Sequence, residues 1–179
     1  MLRPPETFLT DRLSGRPPTP GDAPAAFEAY ASDPEVTRYL SWRTHERVET
    51  LEAYLAAQSA VWEKGEGQFS WMLALRDTGR IVGSIGIAIG DGKALFGYVL
   101  GRAHWGRGLT PEALGPLVDW ALARRDIHRA HAFCDVDNPN SARVMEKAGM
   151  VREGILRRWH VCPNIGPEPR DCIVCAKTR

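Results

Sequence analysis

Charge of one sign does not dominate this chain: 23 Lys and Arg stand against 22 Asp and Glu, a formal net charge of +1. No whole-molecule field draws in nucleic acid or an anionic membrane. Local basic density remains around Arg102, Arg107, Arg143 and Lys147. No apolar run approaches the length of a membrane span, and Met1-Leu2-Arg3-Pro4-Pro5 lacks a signal-peptide core. A cytoplasmic location is the expectation. Cysteine is scarce too, with four residues at 134, 162, 172 and 175. Cys172 and Cys175 have C-x-x-C spacing, but no second such pair and no H-x-x-x-H completes a zinc site. Their segment reads as a buried strand, in which residues three apart face opposite ways. Reduced core thiols and no metal are expected. Two familiar phosphate motifs are missing as well. There is no G-x-x-x-x-G-K-S/T loop, and the G-x-G at Gly106 to Gly108 has Pro111 where a dinucleotide fingerprint needs its third glycine.

What is present suits an ordinary globular domain. Hydrophobic residues make up 44% and charged residues 25% of 179, so a single domain over 1–179 with a sizeable core is expected. Met1 to Thr7 reads as the one dispensable segment. Arg12 to Arg16 reads as a first strand. Thr19-Pro20-Gly21-Asp22 has the chemistry of a helix start, continuing over Ala23 to Ala31. Asp33-Pro34-Glu35 repeats that cap logic over a short turn. Glu46 to Glu63 carries helical spacing and ends at the breaker Lys64-Gly65-Glu66-Gly67. Strands follow at Phe69 to Leu75, Arg80 to Ile89 and Ala94 to Leu100, with Gly90-Asp91-Gly92-Lys93 as a hairpin turn. A helix over Leu109 to Leu122 contains Pro116, which predicts a kink near Gly115-Pro116. A strand over Arg129 to Asp135, a short helix over Asn140 to Lys147 and two strands, Val151 to Val161 and Arg170 to Ala176, complete the order. That order describes an α/β (α+β) domain with a mixed, mainly antiparallel central sheet flanked by helices.

The segment Arg102-Ala103-His104-Trp105-Gly106-Arg107-Gly108-Leu109-Thr110-Pro111-Glu112-Ala113 carries the chemistry. It joins a predicted strand to a predicted helix. The first N–H groups of a helix have no internal partners, and the helix dipole adds partial positive charge there. Gly106 and Gly108 let the backbone approach a ligand, and Arg102 and Arg107 supply cations. A pyrophosphate is the expected guest. A surface loop ahead of an ordinary helix is the blander alternative.

This segment resembles motif A of the GNAT acetyltransferases, whose core is Gln/Arg-x-x-Gly-x-Gly/Ala, over Trp105 to Thr110. A second segment, Asn138-Pro139-Asn140-Ser141-Ala142-Arg143-Val144-Met145-Glu146-Lys147-Ala148-Gly149-Met150, resembles the N-x-x-S…E-K-x-G-F/M motif of the RimJ/RimL-like branch. Ser32 to Tyr39 and Gly154 to Arg157 also look family-like. Departures are Thr110 in the Gly/Ala slot, Leu109 in place of an aromatic, and Leu95 where an acidic residue often precedes Gly97-Tyr98.

The resemblance implies acetyl-CoA as cosubstrate, a primary amine as acceptor and no metal, in a monomer or homodimer. It implies a GNAT-like sheet whose two central strands, ending at Leu100 and near Asp135, splay apart. Pantetheine would lie between them against the Val99 and Leu100 backbone. Cofactor contacts are then expected from Val99, Leu100, Arg102, Gly106, Arg107, Gly108, Leu109, Thr110, Asn138, Arg143 and Lys147. Ser141 would sit near the sulfur as donor to the leaving thiolate. Acetyl transfer also needs a neutral amine. His45, His104, His128, His131 and His160 are candidate bases by chemistry, with His160 placed late on its strand where an acceptor cleft is expected. Solvent-relayed deprotonation is the alternative. Capping or a solvated helix face would equally explain Asn138, Ser141, Arg143 and Lys147. The acceptor cleft should involve Trp42, Arg43, the helix from Glu46 and the Cys162 to Pro169 loop. A protein N-terminal α-amine is the favoured acceptor. An aminoglycoside, a polyamine, or a CoA-binding sensor without turnover are the alternatives.

Overall fold

The computed structural model describes residues 3–179; Met1 and Leu2, part of the segment read as dispensable, lie outside the described residues. Eight strands form one sheet in the order β1-β2-β3-β4-β5-β6-β8-β7. They are β1 (Phe8–Leu9), β2 (Leu13–Arg16), β3 (Phe69–Leu75), β4 (Ile81–Gly90), β5 (Lys93–Leu100), β6 (Arg129–Asp135), β7 (Val151–Val161) and β8 (Pro169–Thr178). The helices are α1 (Ala23–Ala26), α2 (Pro34–Thr37), α3 (Val48–Lys64), α4 (Leu109–Leu122) and α5 (Pro139–Lys147). Every strand pair is antiparallel except β5 with β6.

Period-two burial explains how the sheet collects helices on both faces. On β3, Phe69, Trp71 and Leu73 join one core with Ile85, Leu109, Leu114, Leu117 and Met145, which brings α4 and α5 to that face. Met72 points the other way and packs with Ala26, Tyr30, Leu51 and Leu55 of α1, α3 and the segment after α1. The first core is anchored by edge-on contacts of Trp62 with Phe69 and Trp71 at 4.8 and 5.4 Å. Such aromatic pairs add about 0.5–1.5 kcal/mol each beyond buried area.

Several boundaries differ from expectation for local reasons. Phe8–Leu9 adds an edge strand ahead of the predicted first one. The N-terminal segment is tied in: Pro4 is buried, the Trp71 indole N–H donates to Pro5 O at 3.0 Å, and Phe8 packs edge-on against Trp71. Within the segment read as dispensable, Pro4 and Pro5 are thus packed into the fold. The helix expected over Ala23 to Ala31 changes character partway. A 3-10 turn over Pro20–Asp22 leads into α1, and Phe27–Ala31 is a π turn. Ser32 closes it, its N–H and its hydroxyl both donating to Phe27 O. Helix α3 begins at Val48 rather than Glu46 and stops at Gly65, whose φ is 72°. Helix α4 is continuous through Pro116. Helix α5 ends in paired bonds, Gly149 N–H to Glu146 O and Met150 N–H to Met145 O, a Schellman closure.

The central irregularity lies between β5 and β6. Their parallel ladder holds only Lys93 with Arg129, Ala94 with Ala130 and Leu95 with His131. From Phe96 to Leu100 and from Ala132 onward the two strands no longer pair. Each keeps its outer neighbour, β4 on one side and β8 on the other, along its whole length. The sheet is thus continuous but open in a V at its centre.

Candidate active site

The V is flanked by the loop Gly101 to Gly108 and the start of α4. A 3-10 turn over Arg102–His104 leads to Gly106 and Gly108, with φ of 72° and 74°. Left-handed glycines in this position turn successive amides outward, the geometry of an anion nest. Among the described residues, no backbone or side-chain acceptor takes the N–H groups of Gly106 to Thr110. A Cβ on Gly106 would meet open space, and one on Gly108 would come within 3.7 Å of an Arg12 guanidinium nitrogen.

Elements far away in sequence hold this loop. Arg12 donates to Arg107 O at 2.9 Å, and its guanidinium pairs with Glu112 at the base of α4. Thr10 also donates to Glu112. Burial pushes the Glu112 carboxyl up, but bonds from Thr10 and Arg12 outweigh it and hold it below the usual range. The Trp105 indole N–H donates to Leu100 O at 2.7 Å, tying the loop to the end of β5. Leu109 and Thr110 have buried side chains and face the core, so they can serve a ligand only through their N–H groups. Arg102 turns toward α2, pairing with Asp33 at 3.1 Å. Arg107 lies beside His104, and Arg80 from the turn before β4 is near enough to act on the same imidazole. Burial lowers the His104 pKa, and the two guanidiniums lower it further. No motif in the sequence pointed to Arg80.

On the other side of the V, α5 brings in the second motif. Asn138 caps the helix, its Oδ1 accepting the Ser141 N–H at 3.2 Å. The Ser141 hydroxyl lies 2.8 Å from the Tyr98 hydroxyl, which also lies 2.9 Å from Ser141 O. The Tyr98 proton can go to that carbonyl or to the serine oxygen, and when it goes to the serine oxygen the Ser141 proton is left free. Burial drives the Tyr98 phenol well above its ordinary range, so it stays protonated. Tyr98 faces α5 across the opening, and its role as Ser141's partner could not be read from a Gly-Tyr in a strand. Cys134 is buried beside the same helix start, its thiol pushed up to about 12 by burial. The cap and the donor reading of this motif are therefore compatible. Asn138 caps through its side chain and leaves the Ser141 hydroxyl for Tyr98.

Beyond Val99 the surface opens into a cavity of about 670 Å³. Tyr30 from the π turn, Trp42 to Arg47, Thr50 and Tyr54 from α3, and Ser84 and Val99 from the sheet all reach it. The wall from Thr37 to Thr44 is an irregular loop, pinned by Asn164. The Asn164 amide donates to Thr37 O at 2.7 Å and Trp42 O at 2.8 Å, and its oxygen accepts the Thr44 N–H at 3.0 Å. The Cys162 to Pro169 loop therefore shapes the cleft by holding its wall rather than by lining it. Trp42 and Arg43 line it, as expected.

The other expected residues are placed apart. His160 lies on β7 opposite Arg170, its ring 5.2 Å from Phe133, and it is not among the residues lining the cavity. Trp159 also packs on Phe133, at 6.2 Å. The register shifts between Leu156 and His160, and Arg158 has a φ of 47°, so strict alternation does not separate the two rings. Arg143 bonds Asn140 on the exposed face of α5, and Lys147 is exposed at its end. The four cysteines are buried and free. Asp135, fully buried at its side chain, is met by Arg170, which also pairs with Asp137. This ion pair braces the end of β6 against β8 at the mouth of the V.

A sheet split after a short parallel ladder, with an unsatisfied glycine-rich helix start beside the gap, defines a GNAT acetyltransferase. Residues 12–151 match the acetyltransferase (GNAT) domain family, and the chain belongs to it. It is 31% identical over 153 residues to the uncharacterised N-acetyltransferase YoaA of Bacillus subtilis, covering 84% of this chain and 85% of that one. A GNAT-family acetyltransferase structure from Bacillus anthracis superposes with a TM-score of 0.79 at 25% identity, covering 96% of this chain and 98% of that one. RimL, a ribosomal-protein acetyltransferase solved with coenzyme A, shares the fold with a TM-score of 0.81 at 19% identity, covering 97% and 98%. The protein is an N-acetyltransferase that uses acetyl-CoA.

Proposed function

We propose that this enzyme transfers the acetyl group of acetyl-CoA directly to a primary amine seated in the Trp42 to Tyr54 cavity, and that the amine is the N-terminal α-amine of a peptide or protein. The observation that carries this reading is that the cavity reaches Val99 on the strand bordering the V. An amine held there stands at the end of the slot in which pantetheine would lie. The charges of the wall favour the peptide. Arg43 and Arg47 outnumber Glu46 among the ionised side chains lining it, which suits a chain bearing carbonyls and carboxylates better than a polycationic aminoglycoside or polyamine. An α-amine has a pKa near 8, so a useful fraction is neutral at physiological pH with little help.

In this reading the Gly106 to Thr110 amides, with Arg107 and Arg102 nearby, hold the pyrophosphate. Val99 and Leu100 offer backbone to pantetheine, and Asn138 shapes the far side. Arg143 and Lys147 add positive charge on α5. Ser141, paired with a Tyr98 that keeps its proton, donates to the departing thiolate. The amine lone pair forms the new C–N bond, the C–S bond breaks, and the nitrogen's surplus proton leaves as the thiolate gains one. His160 stands apart from this cavity.

The test is CoA thiol release with a panel of short peptides bearing free N-termini, the same peptides N-terminally blocked, aminoglycosides and polyamines. Turnover of free peptides alone is expected. Turnover confined to aminoglycosides or polyamines would overturn the acceptor.

A further inference from the structure

His45 lines the same cavity and is not accounted for by the pyrophosphate loop or by Ser141. Its backbone N–H donates to Ala31 O at 3.0 Å, at the end of the π turn. Its ring is tilted against Trp42 with centroids 5.4 Å apart. Its Nδ1 lies 2.7 Å from the Thr50 hydroxyl. That hydroxyl has a single proton, and it donates to Arg47 O at 2.7 Å. Toward His45 the hydroxyl can then only accept. The proton of the neutral imidazole therefore sits on Nδ1, and the lone pair sits on Nε2. Among the described residues, Nε2 has no hydrogen-bond partner. Backbone, stacking and hydroxyl thus favour one tautomer and one ring position, with the basic nitrogen left without a partner on a residue that lines the cavity.

From this chain of contacts we propose that His45 is the general base of the acetyl transfer, its Nε2 taking a proton from the acceptor ammonium. The amine so released forms the C–N bond, and the imidazolium passes its proton to solvent. Thr50 is the positioning residue that sets the tautomer. The proposal rests on the reading that the cavity holds the acceptor. It replaces solvent-relayed deprotonation with a named group. Burial lowers the His45 pKa, which keeps the ring neutral and ready to accept at pH 7. The other ionisable groups around it are Arg43, Glu46 and Arg47 on its own segment, Tyr54 on α3 and Tyr30 on the π turn. Both tyrosines are pushed up by burial and stay neutral across the range.

The experiment compares wild type with His45→Gln, Thr50→Val, Tyr54→Ala and His160→Ala, using a free-N-terminal tripeptide as acceptor. The kcat profile, the acceptor KM and the calorimetric Kd for acetyl-CoA are measured for each. Imidazole 15N chemical shifts are followed against pH in the wild type and in His45→Gln. His45→Gln should lower kcat at pH 7 about a hundredfold, within the usual range for a general base, with the acetyl-CoA Kd and melting temperature unchanged. The wild-type acid limb should lie below about 6.5, the ordinary imidazole value. In the variant it should move up to the acceptor's own pKa. Thr50→Val should shift that limb with a smaller loss of kcat, which a merely structural hydroxyl would not do. The resonance lost in His45→Gln should show the Nδ1–H tautomer. Unchanged kcat in His45→Gln, an Nε2–H tautomer, or a limb that moves with His160→Ala instead would overturn the proposal. Tyr54→Ala tests the cavity separately. It should raise the acceptor KM, and an unchanged KM would refute the acceptor reading whatever His45 does.

Discussion

The glycine-rich loop proposed to hold pyrophosphate and the cavity proposed to seat the acceptor border the same V but are built from different materials. The loop is made of backbone: two left-handed glycines, unpartnered amides and the first turn of α4. Its residues are contiguous, so their spacing announces them. The cavity is made of side chains from four separate stretches, and its irregular wall is held by Asn164, more than a hundred residues away. Amides can bind a group that every family member shares. Side chains on a pinned loop can be exchanged without disturbing those amides. The cosubstrate should therefore be general and the acceptor particular, and damage to one region should leave the other intact.

Three substitutions probe that division, in falling order of effect. Ser141→Ala removes the hydroxyl proposed to face the leaving thiolate. It should reduce kcat by about 10²–10⁴, the range for a positioned proton donor, with the acetyl-CoA Kd and acceptor KM little changed. Because Asn138 supplies the cap, the melting temperature should hold. Preserved turnover with lowered stability would return Ser141 to a purely structural role. Gly108→Val comes next. It forces a β-branched residue to a φ of 74° and brings its Cβ against the Arg12 guanidinium that holds the loop. A loss of acetyl-CoA affinity of about a hundredfold, roughly 2.7 kcal/mol by the standard conversion, is expected by calorimetry. An unchanged Kd would remove the loop from the site. Asn164→Ala is the smallest. It removes the partner of the Trp42 carbonyl and the Thr44 N–H, while Thr37 O keeps the Leu40 N–H, so the wall loses most of what pins it. The acceptor KM should rise about tenfold, with the acetyl-CoA Kd unchanged. Both constants moving together would mean that the two regions are not separable.

The same contrast governs what could be read from the residues alone. The strands Phe69–Leu75 and Arg129–Asp135 and the helix Leu109–Leu122 were legible to the residue, because each is an apolar stretch bounded by polar or glycine-bearing turns. The glycine loop and the Asn138 cap were legible because local chemistry defines them. The Tyr98–Ser141 pair was not. It joins residues 43 apart through the closure of α5 over β5. Nor was the π turn, since Phe27 to Ala31 carries no marker that separates it from an α-helix. His45 could be named as a candidate by chemistry. What sets it apart from His104, His128, His131 and His160 is the Thr50 proton committed to Arg47 O, a detail of three dimensions. His160 was placed near the cleft by counting along a strand. The shift of register at Arg158 is what such counting cannot see.

The three-pair ladder between Lys93–Leu95 and Arg129–His131 works as a spacer. It sets how far apart the free edges of β5 and β6 stand, much as the joined end of a pair of tweezers sets its gap. The slot arises from hydrogen bonds left unmade, so side-chain changes along Phe96–Leu100 or Ala132–Cys134 can accumulate without closing it. What the chain cannot tolerate is repair. A ladder zipped one register further would gain hydrogen bonds and narrow the slot in which pantetheine is proposed to lie.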